Sequence, residues 1–139
     1  MSRVTVVNDN PEFLELVRDV LEGDRYDATC IDGDRADAMD RIRESRPDVL
    51  MIDLRMGNDG YHGWDVAQAV RRDPGMERLP VLICSADPFA LREIAQDLSG
   101  SRDVKCLTKP FSIDELTDAI DSLVASAQEP DQPQYEQSA

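Results

Sequence analysis

Short segments with the pattern of a strand alternate five times with longer amphipathic stretches along this chain. Most of these segments are apolar runs, whereas residues 26–31 alternate between polar and apolar. Consecutive apolar residues, as in residues 49–52, are typical of a strand that is covered on both faces. In the stretches between the runs, apolar residues recur every three or four positions, as on one face of a helix. The predicted strands are residues 3–7, 26–31, 49–52, 81–84 and 104–108.

Five helices are predicted between and after these strands. Asn10 and Pro11 are residue types favoured at the N-cap and the first position of a helix. Ser112 and Glu115 have the spacing of a capping box, in which each side chain bonds to the backbone amide of the other. The predicted helices are residues 11–22, 34–45, 64–72, 88–98 and about 113–125.

Regular alternation of strands and helices predicts an α/β fold with a parallel sheet. Right-handed crossovers leave few arrangements for five strands, and the order 2-1-3-4-5 gives a doubly wound, three-layer sandwich of the flavodoxin-like type. We predict one domain over residues 1–125. Residues 126–139 are rich in Gln, Glu, Pro and Ser and are predicted to form a disordered tail.

Composition and charge exclude several classes of function. The 139 residues carry a formal net charge of -14, which disfavours nucleic acid and anionic membranes as partners. No apolar run is long enough to span a bilayer, and the first strand begins too early to leave room for a signal peptide. Cys30, Cys84 and Cys106 fall in predicted strands, as expected for reduced thiols in a cytoplasmic protein.

Polar residues follow four of the predicted strands and predict a site. Asp9 follows the first strand, Asp53 the third, Ser85 the fourth and Lys109 the fifth. The carboxyl ends of parallel strands meet at one crevice, so we expect these side chains to lie together. Two carboxylates suit Mg²⁺, and a carboxylate beside that cation can act as a nucleophile. Lys109 and Ser85 would then contact the oxygens of a phosphoryl group.

Four segments lie in order at the ends of predicted strands: Val6-Val7-Asn8-Asp9, Leu50-Met51-Ile52-Asp53-Leu54-Arg55-Met56, Cys84-Ser85-Ala86 and Leu107-Thr108-Lys109-Pro110-Phe111. With these four segments in this order, the chain resembles the receiver domain of two-component response regulators, the CheY-like family. The resemblance covers about residues 3–125.

The resemblance implies a function for each of these residues. Asp53 would accept a phosphoryl group from a histidine kinase or phosphotransfer protein, with Mg²⁺ held by Asp9, Asp53 and the Arg55 backbone carbonyl. Ser85 would be the switch hydroxyl, and the bond before Pro110 would be cis. An unknown downstream protein would bind the surface of the fourth helix, fifth strand and fifth helix. The chemistry is stoichiometric, so the chain is not predicted to be an enzyme.

Three departures from the family pattern qualify this prediction. Asn8 replaces the first of two acidic residues, and we expect it to hold a metal-bound water and to weaken Mg²⁺ binding. The loop after Asp53 has Gly57 in place of a proline and is about two residues longer than usual. Cys106 replaces the aromatic residue that usually reports the switch.

The main hypothesis is a stand-alone receiver in a phosphorelay. The alternative is a degenerate, receiver-like interaction module that works independently of phosphorylation. A flavin- or nucleotide-binding protein is less favoured, because an anion cradle needs glycines and free amides after the first strand. Asp9 and Pro11 lie there instead.

Overall fold

The computed structural model describes residues 1–55, 62–97 and 103–128. Five strands alternate with five helices. The strands are β1 Arg3–Asn8, β2 Asp27–Asp32, β3 Val49–Asp53, β4 Val81–Ser85 and β5 Val104–Thr108. The helices are α1 Pro11–Gly23, α2 Ala38–Ser45, α3 His62–Arg72, α4 Pro88–Asp97 and α5 Ile113–Gln128.

The strands form one parallel sheet in the order β2-β1-β3-β4-β5, which confirms the predicted fold. The order reverses direction at β1 and β3, which are hydrogen-bonded neighbours. Their carboxyl ends therefore border the crevice where open α/β sheets place their ligands. Asn8 ends β1 and Asp53 ends β3.

Two apolar cores separate the sheet from its helices and make three layers. Alternate residues of β3 point to opposite faces: Leu50 and Ile52 pack against α2, α3 and α4, whereas Val49 and Met51 pack against α1 and α5. All four of these β3 side chains are buried. Burial of a strand on both faces explains why its sequence is continuously apolar rather than alternating.

The predicted helix caps are present. The Asn10 side chain accepts hydrogen bonds from the amides of Glu12 and Phe13 at the start of α1. Ser112 and Glu115 bond reciprocally, each side chain to the backbone amide of the other. Both helices therefore begin where the local sequence predicts.

The largest error concerns the start of the second helix, which begins at Ala38 rather than at residue 34. The Asp32 side chain accepts the amide of Asp34 and closes a local turn there. Asp side chains compete with helix formation in this way. At the other end of the chain, α5 runs through the predicted start of the tail at residue 126.

Residues 56–61, with Gly57 and Gly60 of the predicted long loop, lie outside the described residues, as do residues 129–139 of the predicted tail. Of the helices that are described, none is both long and apolar enough to cross a membrane.

Candidate functional site

The predicted polar residues gather at the carboxyl edge of the sheet. Asn8, Asp53 and Ser85 are the last residues of β1, β3 and β4. Lys109 follows β5, and its amide donates to the Ser85 carbonyl at 2.8 Å, which extends the ladder by one bond. Strand register alone therefore places Lys109 beside the end of β4.

Asp53 lies in an ion pair with Lys109. The Lys109 Nζ atom is 2.8 Å from Asp53 Oδ2, and only 13% of the Asp53 side chain is exposed. The carboxylate is thus partly removed from water and partly neutralised by a charge 56 residues away in sequence.

Asn8 donates a second hydrogen bond to the same carboxylate oxygen. Its Nδ2 atom lies 3.0 Å from Asp53 Oδ2, and its Oδ1 atom accepts the amide of Asn10 at 2.8 Å. Asn8 is almost fully buried, so both bonds matter for its orientation. Both described bonds to the Asp53 side chain end on Oδ2, and Oδ1 faces no described hydrogen-bond donor. From the sequence, Asn8 was expected to hold a water bound to Mg²⁺. Its direct hydrogen bond to Asp53 was not expected.

Ser85 is buried and connects the site to α4. Its Oγ atom accepts the amide of Asp87 at 3.0 Å. Asp87 Oδ1 in turn accepts the amides of Phe89 and Ala90, and so caps α4. Asp87 Oδ2 binds Arg55 Nη2 at 2.9 Å. Asp87 therefore joins the residue two positions after Asp53 to the start of α4.

A cavity of about 320 Å³ opens among these groups. It is lined by Asp53, Arg55, Ser85, Ala86, Asp87 and Lys109. The cavity is large enough for a small polar group, and its walls carry two carboxylates, one hydroxyl and two cationic side chains.

Two residues that shape the site were missed in the sequence. Phe13 on α1 presents its ring to Lys109, with Nζ 4.2 Å from the ring centroid. Gly63 on α3 lies so close to β3 that a Cβ atom there would overlap the Asp53 carbonyl oxygen. A glycine within a glycine-containing loop was the available signal for the second, whereas the Phe13 contact depends on how α1 packs on the sheet.

The remaining predicted positions are placed as follows. Cys106 is exposed on β5, in register with Ile83. The Lys109–Pro110 peptide bond is cis. Asp9 is exposed, directly after β1.

The donor set can be tested against Mg²⁺. The predicted ligands Asp9, Asp53 and the Arg55 carbonyl are all oxygen donors, as Mg²⁺ prefers. Among the described residues no three carboxylate, histidine or cysteine side chains are grouped so that they could hold a metal ion by themselves. Two carboxylates with one carbonyl still fit Mg²⁺, because this ion usually keeps several waters.

The geometry defines an α/β protein with a carboxylate–lysine site at the switch point of its sheet, and comparison with known families agrees. Residues 4–121 match the response regulator receiver domain family. The chain belongs to that family.

Two curated relatives show the level of similarity. The DNA-binding response regulator MtrA of Mycolicibacterium smegmatis is 33% identical over 114 residues, which is 82% of this chain and 46% of MtrA. The probable transcriptional regulatory protein TcrX of Mycobacterium tuberculosis is 35% identical over 114 residues, 81% of this chain and 45% of TcrX. The chain spans about half the length of these relatives.

Solved structures support the same fold. A Francisella response regulator receiver domain superposes with a TM-score of 0.74 at 29% identity, covering 92% of this chain and all of that one. The chemotaxis protein CheY4 of Vibrio cholerae gives a TM-score of 0.73 at 22% identity, covering 88% of this chain and 98% of that one. The second likeness concerns the fold alone.

Proposed function

We propose that Asp53 accepts a phosphoryl group from a histidine kinase or phosphotransfer protein, and that the phosphorylated chain signals by binding another protein. The observation that carries this proposal is the 2.8 Å ion pair between Lys109 and Asp53 inside a cavity that also contains Ser85. Phosphoryl transfer suits a largely buried carboxylate that lies beside a hydroxyl and an ammonium group. Positioning and charge stabilisation supply most of the catalysis in such reactions.

The bond that forms joins Asp53 Oδ1 to phosphorus. Lys109 and Asn8 hold Oδ2, so the other oxygen is the one placed to attack. As its lone pair makes the new P–O bond, the P–N bond to the donor's imidazole breaks, and that electron pair returns to the imidazole nitrogen. Lys109 then balances charge on the phosphoryl oxygens.

Magnesium fits this site through Asp9, Asp53 and the Arg55 carbonyl. When bound, Mg²⁺ would supply positive charge that offsets the negative charge of the incoming phosphoryl group. Asn8 contributes a hydrogen bond rather than a charge, which supports weaker metal binding than a third carboxylate at this position would give.

The Ser85 hydroxyl links phosphorylation to α4. In the unphosphorylated arrangement its Oγ atom accepts the Asp87 amide. Donating its hydroxyl proton to a phosphoryl oxygen would draw the loop after β4 toward Asp53 and shift α4 toward a partner-binding state. Exposed residues on α4, β5 and α5, namely Phe89, Cys106 and Ile113, make this the proposed surface for the downstream protein.

Two observations favour a second candidate function. The direct bond of Asn8 to Asp53 gives the carboxylate a structural partner, and Cys106 cannot act as an aromatic reporter. A receiver-like module that binds its partner without phosphorylation would retain both features. The retained Asp53, Ser85 and Lys109 argue for the first function.

The experiment is intact-protein mass spectrometry after incubation with acetyl phosphate, with and without Mg²⁺. We expect one phosphoryl group on the wild-type chain with Mg²⁺, none on Asp53→Asn, and normal uptake by Asp65→Asn, an exposed aspartate of α3. Uptake by Asp53→Asn would refute the assignment. If neither a phosphoryl adduct nor a beryllofluoride complex forms, the phosphorylation-independent module is supported.

A further inference from the structure

The aromatic ring of Phe13 lies against the ammonium group that the site depends on. Lys109 Nζ is 4.2 Å from the centroid of the Phe13 ring and 2.8 Å from Asp53 Oδ2. The ammonium is therefore held between a carboxylate on β3 and a ring on α1. Only 24% of the Lys109 side chain is exposed, which limits how far water competes for it.

A ring suits this task better than a second polar group. A lysine ammonium is a point charge on a flexible four-carbon chain, so its position has to be imposed by its surroundings. The face of an aromatic ring attracts a cation through its quadrupole. This attraction leaves the N–H groups free to donate to oxygens, whereas a second carboxylate would compete with a phosphoryl group for them.

Phe13 is itself tied to the acceptor carboxylate by a closed series of contacts. Its amide donates to Asn10 Oδ1, the Asn10 amide donates to Asn8 Oδ1, and Asn8 Nδ2 donates to Asp53 Oδ2. Lys109 closes the series from the other side. The ring and the carboxylate that grip the ammonium are thus fixed relative to each other by the cap of α1.

A second aromatic residue fixes the tilt of the ring. Phe111 meets Phe13 edge to face, with centroids 6.2 Å apart and an interplanar angle of 79°. Phe111 follows Lys109 by two residues, so the same turn carries both the lysine and the aromatic residue that orients the Phe13 ring.

We propose that Phe13 is a positioning residue that acts through Lys109. It holds the ammonium group beside Asp53, so that this group is already in place when the phosphoryl group arrives. This role rests on the proposed phosphoacceptor function, but the geometry that it requires can be measured separately. Replacing the ring by an aliphatic side chain should keep the apolar packing of position 13 but remove the attraction between the ring face and the Lys109 ammonium.

The first test uses the fact that the chain has two lysines, Lys105 and Lys109. Protein labelled with ¹³C at the lysine Cε should give two signals, and Lys105→Arg assigns them. A ring face near Lys109 should shift its signal upfield. We expect Phe13→Leu to abolish this shift, Phe13→Tyr to keep it, and the Lys105 signal to stay constant in both. An unchanged Lys109 signal in Phe13→Leu would overturn the proposal.

The second test measures the rate of phosphorylation by acetyl phosphate. A cation–π contact of the usual strength predicts a rate roughly 2- to 30-fold lower in Phe13→Leu, with recovery in Phe13→Tyr. Val20→Ala, which trims a partly buried residue of the same helix, is the control for lost stability. Equal loss in all three variants would mean that Phe13 only packs. If the wild type neither takes up a phosphoryl group nor forms a beryllofluoride complex, the proposed function fails, whereas the lysine spectra still decide whether Phe13 lies on Lys109.

Discussion

Asn8 occupies a position where this family usually has a carboxylate. Its side-chain amide donates a hydrogen bond to Asp53, whereas a carboxylate would repel it. We predict that Asn8→Asp destabilises the metal-free protein by ~1–3 kcal/mol, because the donor is lost and two carboxylates crowd together. Mg²⁺ should then stabilise this variant more than it stabilises the wild type, since the cation neutralises both charges. Thermal unfolding with a chelator and with Mg²⁺ measures both effects.

Asn10→Asp is the control for this prediction, because it makes the same chemical change at the N-cap of α1. Asp is an equally good cap, and a negative charge is favourable at a helix N-terminus. Equal responses of the two variants to Mg²⁺ would contradict a specific role for position 8.

Tyr26 connects the loop before β2 to α5 through its hydroxyl, which donates to Asp121 Oδ1. Burial, and then this hydrogen bond, raise the pKa of Tyr26 above its usual value. A raised pKa means that the fold favours the protonated phenol. Its contribution to stability is therefore present below the unfolded pKa of about 10 and is lost as pH rises through the folded pKa.

We expect Tyr26→Phe to lose ~1 kcal/mol of unfolding free energy at neutral pH, as for one hydrogen bond at a partly exposed site. Above pH ~10 the difference from the wild type should shrink, because the unfolded wild-type chain is stabilised by ionising this phenol while the folded protein keeps it protonated. Urea denaturation at the two pH values measures it. A difference that stays constant with pH would refute the link to Tyr26.

The residues that line the candidate site were predictable from the sequence, whereas their mutual contacts were not. Asp53, Ser85 and Lys109 can be recognised because each is a polar residue at the end of a predicted strand. Parallel topology then brings the three strand ends to one edge of the sheet. The bond from Asn8 and the ring of Phe13 depend on side-chain direction and on the packing of α1. Neither quantity is encoded in a local pattern.

At the scale of elements, α3 approaches β3 so closely that the first turn of the helix admits no side chain at Gly63. The Gly63 amide donates to the Leu54 carbonyl at 3.0 Å, and an added Cβ atom would overlap the Asp53 carbonyl. We predict that Gly63→Ala destabilises the fold by ~1–3 kcal/mol, the usual cost of overpacking, and slows phosphorylation by displacing Asp53.

Gly23→Ala is a suitable control, because a Cβ atom at the end of α1 would meet nothing within 4 Å. That variant should be neutral or gain up to ~1 kcal/mol through the unfolded chain. Chemical denaturation of both variants gives the comparison. A Gly63→Ala protein as stable as Gly23→Ala would show that α3 can move away from β3 without cost.

The start of α4 depends on the two oxygens of Asp87, which have separate tasks. Oδ1 caps the helix and Oδ2 pairs with Arg55. Asp87→Ala should cost ~1 kcal/mol, as for a lost N-cap. Arg55→Ala should change stability by less than ~1 kcal/mol, because an exposed ion pair contributes little.

Asp87→Ser separates these two tasks, since serine can cap the helix but cannot bind Arg55. We expect its stability, measured by urea denaturation, to lie near that of Arg55→Ala. If it instead falls to that of Asp87→Ala, the ion pair and not the cap holds α4 in place.

At the scale of the whole molecule, the fold follows from the hydrophobic pattern with few errors. The third and fourth strands were found because they are continuously apolar, whereas the second was found from its alternation of polar and apolar residues. The fifth strand matches its predicted bounds, residues 104–108. The second helix was begun too early because the Asp32 side chain accepts the Asp34 amide and turns the backbone before the helix begins at Ala38. Local side-chain to backbone bonds of this kind override periodicity at the ends of elements.

The net charge of -14 should make the stability of the molecule depend on salt. The chain has 29 acidic and 15 basic residues, so repulsion outweighs the attraction within surface pairs such as Arg43–Asp73. Screening shortens the reach of these charges from about 30 Å at 0.01 M salt to about 8 Å at 0.15 M. We therefore expect the melting temperature to rise over this interval in sodium chloride.

The dependence on salt should weaken when the imbalance is reduced. Glu15→Lys changes an exposed residue of α1 and makes the net charge less negative by two. Its melting temperature should exceed that of the wild type at low salt, and the two should converge as salt is added. Chloride rather than sulfate is required, because sulfate strengthens burial by exclusion from the protein surface. A melting temperature that falls with added chloride would mean that attractive pairs, and not repulsion, dominate the electrostatics of this fold.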